Sequence, residues 1–325
     1  MKSPRVALVL GGGGTVGMSY HAGVLHALCE VGGVDPAKAN LVIGTSAGSV
    51  VGAYLRSGWT TKDFWSLALG THPVLAGLNP AEVDAMRSEI FTPRFSTGPE
   101  FFRRLLGSTF VLARGLWRMP APIPPRWTSR VFPGGLFDMT EGKRRFADDL
   151  PTEWPDEPLW LCAVDITSGR RIVLGRHGSP HATLHQGVMA SCAIPGFYQP
   201  IKLGSLTLID GGLHSPTNLD LAAKADSDLI VCSAPMAYDT LTAPSRVEQL
   251  VRRMPSRRLA SEVALARGRG SEVLLLRPGA AEVRLHGANL MRGTGWEAIA
   301  RAAYEGAARL IETPRFRRVL EPLAA

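Results

Sequence analysis

No apolar run in this chain comes near the roughly 18–20 residues that a membrane-spanning helix requires, so an integral membrane protein is not expected. Cysteine is scarce. The four residues Cys29, Cys162, Cys192 and Cys232 are far apart, contain no C-x-x-C pair and sit among apolar neighbours. They are expected as buried free thiols, with neither a disulfide framework nor a metal site. The N-terminus lacks a signal-peptide core. Met1-Lys2-Ser3-Pro4-Arg5 leads into five apolar residues, Val6 to Leu10, and then into glycines with no small-residue cleavage site. The expected location is the cytoplasm, with the mature chain starting here. No internal repeat is visible. Acidic residues are missing from Phe101 to Arg130, which holds six arginines.

What is present is a globular balance. Of 325 residues, 45% are hydrophobic and 20% charged, which excludes a mainly disordered chain, a collagen-like fibre and a coiled coil. The length admits one large α/β domain or two ordinary ones. The formal charge is +8, carried mostly by arginine. A second arginine-rich stretch, Arg246 to Arg269, holds seven arginines against Glu248 and Glu262. Such stretches suit contact with lipid phosphates at an anionic membrane, or simply solvated helix faces. Nucleic-acid binding is not expected, because no recognition module is visible.

Residues 5–10 predict a buried parallel strand, followed by a helix from about Gly17 to Val31. Leu41-Val42-Ile43 predicts a second strand, with a helix from Ala47 to Leu55 stopped by Gly58. Strand, tight loop, helix, repeated, is the opening of a doubly wound α/β sheet. Residues 70–135 break the rhythm with many prolines, phenylalanines and tryptophans, and predict an inserted cap or lid within a single domain spanning 1–325. Further strands are expected at Leu159–Ile166, at Arg171–Leu174 as a hairpin partner, and at Leu206–Asp210, Leu229–Ser233 and Val273–Leu276. Helices are expected around Ala182–Ala193 and over Gly295–Ile311.

Three motifs carry chemistry. Gly44-Thr45-Ser46-Ala47-Gly48 is a G-x-S-x-G between a strand and a helix. A serine in such a sharp turn projects its hydroxyl outward, and the flanking glycines let the backbone double back. The following helix N-terminus favours developing negative charge. Gly11-Gly12-Gly13-Gly14-Thr15-Val16-Gly17 follows the first strand. Its glycines let backbone N–H groups converge on one point, and for acyl transfer Gly12, Gly13 and Gly14 would hold the oxyanion. The same Gly12-x-Gly14-x-x-Gly17 also fits a dinucleotide fingerprint, which leaves an NAD(P)-binding oxidoreductase as the alternative. That fingerprint wants an acid closing the second strand, where this chain has Gly44-Thr45-Ser46. A Walker loop is excluded because no Gly-Lys-Ser/Thr follows. Asp210-Gly211-Gly212 places a carboxylate at the end of a predicted strand. A serine nucleophile usually takes a histidine as base. None of His21, His26, His72, His177, His181, His185, His214 and His286 lies in a context that singles it out, and His214 and His286 read as surface positions. A direct Ser46–Asp210 pair is the two-residue alternative.

In this order the three motifs resemble the patatin-like phospholipase family. Two further stretches share the likeness: Ala163-Val164-Asp165-Ile166-Thr167-Ser168-Gly169, and Ala190 to Phe197 leading to Pro200. The resemblance covers residues 5–60 and 159–235. It implies a three-layer α/β/α sandwich with a mostly parallel sheet and a Ser46–Asp210 dyad. It also implies hydrolysis of lipid acyl esters through an acyl-enzyme, with no metal or organic cofactor. Val16 stands where the family usually has Arg or Lys, which leaves a catalytically weak membrane-binding patatin-like protein as a further alternative, and Ser215-Pro216-Thr217-Asn218 departs from the family's Asn and Pro spacing. The cap matches no motif of the family. Its arginines and aromatics suit an interfacial segment on a membrane surface, or a cover over an acyl cleft.

Overall fold

The computed structural model describes residues 4–89, 94–95, 137–238 and 246–323. Strand β1 (Val6–Leu10) shows how the layers arise. Successive side chains of a strand point to opposite faces. Ala7 and Val9 enter one apolar cluster, and Leu8 and Leu10 enter another. Both faces are therefore buried, as the unbroken apolar run predicts.

The remaining strands are β2 (Leu41–Gly44), β3 (Arg94–Phe95), β4 (Phe137–Asp138), β5 (Leu159–Asp165), β6 (Arg171–Leu174), β7 (Ile201–Leu203), β8 (Leu206–Asp210), β9 (Leu229–Ser233) and β10 (Glu272–Leu276). Eight of them form one sheet in the order β10-β9-β1-β2-β5-β8-β7, with β6 paired to β5. The pairs from β10 through β5 are parallel. The pairs β5–β8, β7–β8 and β5–β6 are antiparallel, so the sheet is mixed and mostly parallel. Helices α1 (Gly14–Glu30) and α2 (Ala47–Arg56) cover the Leu8/Leu10 face together with helices Leu184–Cys192 and Trp296–Ile311. Helices Asp220–Lys224 and Arg246–Gly268 cover the other face. This is a three-layer α/β/α arrangement.

Most sequence-based elements lie within a residue or two of the observed ones. Helix α1 starts at Gly14, three residues earlier than expected. β7 was not anticipated, although Gly204-Ser205 is a two-residue hairpin loop of a recognised kind. The arginine-rich stretch is a 23-residue helix that runs through Pro255. Within the region 70–135, Pro73–Leu75 is a short 3-10 turn and Pro80–Glu89 a helix. The aromatic and arginine-rich segment from Phe101 to Arg130 lies outside the described residues. Strands β3 and β4 pair Arg94 with Asp138 and Phe95 with Phe137, so the two flanks of that segment lie side by side.

Candidate active site

The sheet register brings Ser46 and Asp210 together. Gly44 of β2 pairs with Leu161 of β5, and two residues further along β5 Ala163 pairs with Asp210 of β8. Ser46 stands two residues beyond Gly44, so the serine and the carboxylate reach the same level on either side of β5. Asp210 ends an antiparallel strand, whereas the serine follows a parallel one.

Ser46 occupies the turn between β2 and α2 with φ 52, a left-handed conformation rare for a residue with a side chain. Such a conformation costs about 1–3 kcal/mol and persists only where the surroundings hold it. Here they do. A Cβ on Gly44 would stand 2.6 Å from the Gly48 carbonyl oxygen, and one on Gly48 would collide with the Leu10 carbonyl. The two glycines of the motif are thus spatial requirements of a turn packed against β1. The Ser46 N–H donates to Ser191 Oγ at 3.0 Å, and Ser191 Oγ–H donates to the Cys162 carbonyl at 2.7 Å. The Ser46 carbonyl accepts from Ser49 N–H and from Ser49 Oγ–H. The Asp210 N–H donates to the Ala193 carbonyl at 2.8 Å. One segment, Ser191 to Ala193, therefore steadies both the serine and the aspartate. It belongs to the Ala190–Phe197 stretch singled out in the sequence.

Asp210 is 6% exposed, and its Oδ1 accepts the Gly212 N–H at 2.7 Å. Burial pushes its carboxyl up to about 6, while the Gly212 N–H and a hydrogen bond with the Ser46 side chain act in the opposite direction. A carboxyl with that value is ionised at neutral pH yet basic enough to accept a proton. No histidine has a hydrogen bond to Ser46 among the described residues.

The glycine loop needs one correction. The Gly12 N–H already donates to the Pro216 carbonyl at 2.8 Å, and the Gly11 N–H to the Ser233 carbonyl at 2.9 Å. Gly12 is therefore committed to the protein and is not a free donor. The N–H groups of Gly13 and Gly14 have no acceptor among the described residues. Gly14 has φ +60, and a Cβ there would collide with the Leu290 carbonyl, so the loop crosses a neighbouring segment at contact distance. That carbonyl accepts the Val16 N–H at 3.1 Å, and the Thr15 hydroxyl donates to the Arg292 carbonyl at 2.7 Å. Val16 is fully buried in the apolar cluster, a position with no room for the solvated charge of Arg or Lys.

Several supporting residues escaped the sequence reading. His21 is fully buried, with Nε2 2.7 Å from the Gly11 carbonyl and Nδ1 2.8 Å from Ser233 Oγ. Burial lowers it to about 4, so it is neutral and ties the loop to β9. His286 is buried and not at the surface; burial, Arg252 and Arg292 lower it to about 3. His214 is half-buried and lies 3.2 Å from Arg258 Nη2. Asp165 is structural. Its carboxylate accepts the N–H groups of Thr167, Ser168 and Thr207 and the Ser168 hydroxyl, closing the turn after β5. Cys162, Cys192 and Cys232 are buried free thiols, and Cys29 is half-buried. Among the described residues no group of three His, Cys, Asp or Glu side chains is placed to hold a metal ion, and no helix is long and apolar enough to cross a membrane.

Comparison with known proteins places the chain among related sequences. The family model described as patatin-like phospholipase matches residues 8–223, from β1 through the helix after the Asp210 turn. The uncharacterised protein YqhO of Bacillus subtilis is 30% identical over 226 residues, 66% of each chain. An uncharacterised NTE family protein of Mycobacterium tuberculosis is 25% identical over 230 residues, 70% of this chain and 48% of its own length. The chain thus spans about half the length of that relative. VipD of Legionella pneumophila aligns with 96% of this chain and 67% of its own, at 16% identity and a TM-score of 0.47. With a family model matched over well over half of its residues, the chain belongs to the patatin-like phospholipase family.

Proposed function

We propose that this protein is a serine hydrolase of lipid acyl esters, with Ser46 as nucleophile and Asp210 as proton acceptor. The observation that carries the reading is the strained Ser46 turn beside a buried carboxyl whose pKa is about 6. As Ser46 Oγ attacks the ester carbonyl, its proton passes to Asp210 and the carbonyl π electrons move onto oxygen. In this reading the N–H groups of Gly13 and Gly14, which have no acceptor among the described residues, hold that oxyanion, and the N-terminus of α2 adds a favourable dipole. Collapse of the tetrahedral intermediate breaks the bond to the leaving alcohol, which takes the proton from Asp210. Asp210 then deprotonates water as it attacks the acyl-enzyme, and collapse of the second intermediate returns the proton to Ser46 and frees the fatty acid. No step calls for a metal or an organic cofactor. Residues 70–135 serve in this reading as a cap over the acyl cleft and a peripheral contact with anionic membrane.

The rival NAD(P) reading needs the N-terminus of α1 open to a pyrophosphate. The Leu290 carbonyl takes the Val16 N–H, one of the donors a pyrophosphate would use, and β2 closes in Gly44-Thr45-Ser46 with no acid for a ribose, which favours the hydrolase.

The deciding experiment combines release of p-nitrophenol from medium-chain esters with mass spectrometry of the adduct left by a fluorophosphonate. The expected result is turnover by wild type, an adduct on Ser46, and loss of turnover in Ser46→Ala and Asp210→Asn. Equal rates in all three, or a thermal shift with NAD(P) and no adduct, would sink the proposal.

A further inference from the structure

Between the Asp210 turn and the helix Asp220–Lys224 runs a segment that makes no contact with the ester in the mechanism above. It nevertheless grips both halves of the site. Its Pro216 carbonyl holds the glycine loop by accepting the Gly12 N–H. Two residues later Asn218 is fully buried and has φ 53, a left-handed conformation in a residue with a side chain. Asn218 Nδ2 donates to Thr45 Oγ1 at 3.0 Å and to the Ser215 carbonyl at 2.7 Å. Thr45 immediately precedes Ser46. Asn218 Oδ1 accepts from Arg171 Nη1 at 3.0 Å. Arg171 is itself fixed by both oxygens of Asp220, at 2.6 and 2.8 Å, and Asp220 is backed by Lys224 at 2.7 Å. From the other side Glu262, also buried, accepts the Thr217 hydroxyl at 2.8 Å and the Leu219 N–H at 3.0 Å.

These contacts define a strut. The guanidinium can only donate, so it sets which end of the Asn218 amide is oxygen and turns the NH2 end toward Thr45. The left-handed backbone at Asn218 costs free energy, and its retention in a dry polar network is understandable if the network holds something in place. What it spans is the gap between the nucleophile turn and the glycine loop.

We propose that Asn218 is a positioning residue, which fixes Thr45 and, through Pro216, the Gly12–Gly14 loop at a set separation, with Arg171 and Asp220 locking its amide. This inference rests on the hydrolase reading above. Reacting groups and oxyanion donors must be held to within a fraction of an ångström, and displacement by about 1 Å can cost on the order of 100-fold in rate.

The test uses Thr45→Val, which keeps the shape and removes the hydroxyl that accepts from Asn218 and also meets Cys162, with Thr45→Ser as the conservative rescue and Asn218→Ala as the direct deletion that leaves the Cys162 contact in place. Three quantities are read: kcat and KM for a p-nitrophenyl ester, the rate of fluorophosphonate adduct formation, and the thermal midpoint. The expected result for Thr45→Val is a fall in kcat and in labelling rate of about 10–100-fold, with KM within about twofold of wild type. Thr45→Ser should recover to within about threefold, and Asn218→Ala added to Thr45→Val should cost far less than it does alone. Unchanged kcat and labelling in Thr45→Val and Asn218→Ala, with only a lower thermal midpoint, would reduce the strut to a stability element and overturn the proposal. A failure of Thr45→Ser to recover overturns it as well. Ser46→Ala is run alongside. If wild type labels at Ser46 and turns over while the strut variants match it, the hydrolase reading stands and this inference falls. If wild type neither labels nor turns over, both fall.

Discussion

Gly12 and Ser46 face each other so closely that a Cβ on Gly12 would stand 3.3 Å from the Ser46 Cβ. Gly12 also gives its N–H to Pro216, so it serves the site by being small and anchored. Gly12→Ala is expected to push the serine aside by a few tenths of an ångström. Turnover should fall on the order of tenfold or more, while stability drops by only about 1 kcal/mol. Gly48→Ala is the contrast, because its Cβ would meet the Leu10 backbone, which cannot yield. It should cost about 3 kcal/mol or more, read as a lower denaturation midpoint. Equal stability losses in the two variants would contradict this account.

The carboxyl of Asp210 gives the pH dependence its sign. Its value of about 6 lies above that of an exposed aspartate because of burial. Only the ionised form accepts the serine proton, so kcat/KM should rise as pH passes upward through about 6 and then level off. A limb centred near 7 that survives Asp210→Asn would point to a histidine instead.

The same raised value bears on stability. A carboxyl that binds its proton more tightly when folded contributes stability fully present below about pH 4, and loses it as pH rises through about 6. Asp210→Asn, which has no charge to bury, should therefore be inactive yet more stable than wild type at pH 8. The gain should be about 1–3 kcal/mol and should vanish near pH 4. Urea midpoints at the two pH values decide the matter; a variant less stable than wild type at pH 8 would refute it.

Two buried histidines pull the other way. His21 and His286 are held neutral, at about 4 and about 3, by burial, with Arg252 and Arg292 adding to it at His286. Their contribution is present above the ordinary histidine value near 6.5 and is lost as pH falls below it. For His21 alone the loss by pH 4 amounts to about 3 kcal/mol. Denaturant titrations from pH 7 down to 4 should show that decline, and His21→Gln should flatten it. A profile unaffected by the substitution would mean that His21 is not the sensor.

Asp165 supplies a control at the C-terminal end of β5, two residues beyond the Ala163 that pairs with Asp210. It closes a turn with its carboxylate and touches neither Ser46 nor the glycine loop. Asp165→Ala should lower stability by about 2 kcal/mol, since three N–H groups lose their acceptor. The rate of adduct formation at Ser46 should stay within about twofold of wild type at a temperature where the variant is folded. A large loss of labelling would assign Asp165 a role in the site.

The strands and the three motifs were legible because their signals are local. An apolar run bounded by glycines, or a serine between two glycines, carries its meaning within five residues. The antiparallel sense of β8 was not legible, since strand direction is decided by which neighbour it meets. Arg252 was read as part of a charged stretch, yet it is fully buried, with Nη1 on the Pro235 carbonyl and Nη2 beside His286. Those partners lie 17 and 34 residues away, and no periodicity within the helix reports them. The engagement of the Gly12 N–H by Pro216 was hidden for the same reason.

The β3–β4 pair has a consequence for how this chain can change. The clasp is itself fastened to the body: the Phe137 N–H donates to the Phe197 carbonyl, and the Gln199 N–H donates to the Phe137 carbonyl. Everything between Phe95 and Phe137 thus leaves and re-enters through one doorway a strand's width across. A short reverse turn grafted there in place of residues 96–136 would close the doorway without disturbing a single sheet register.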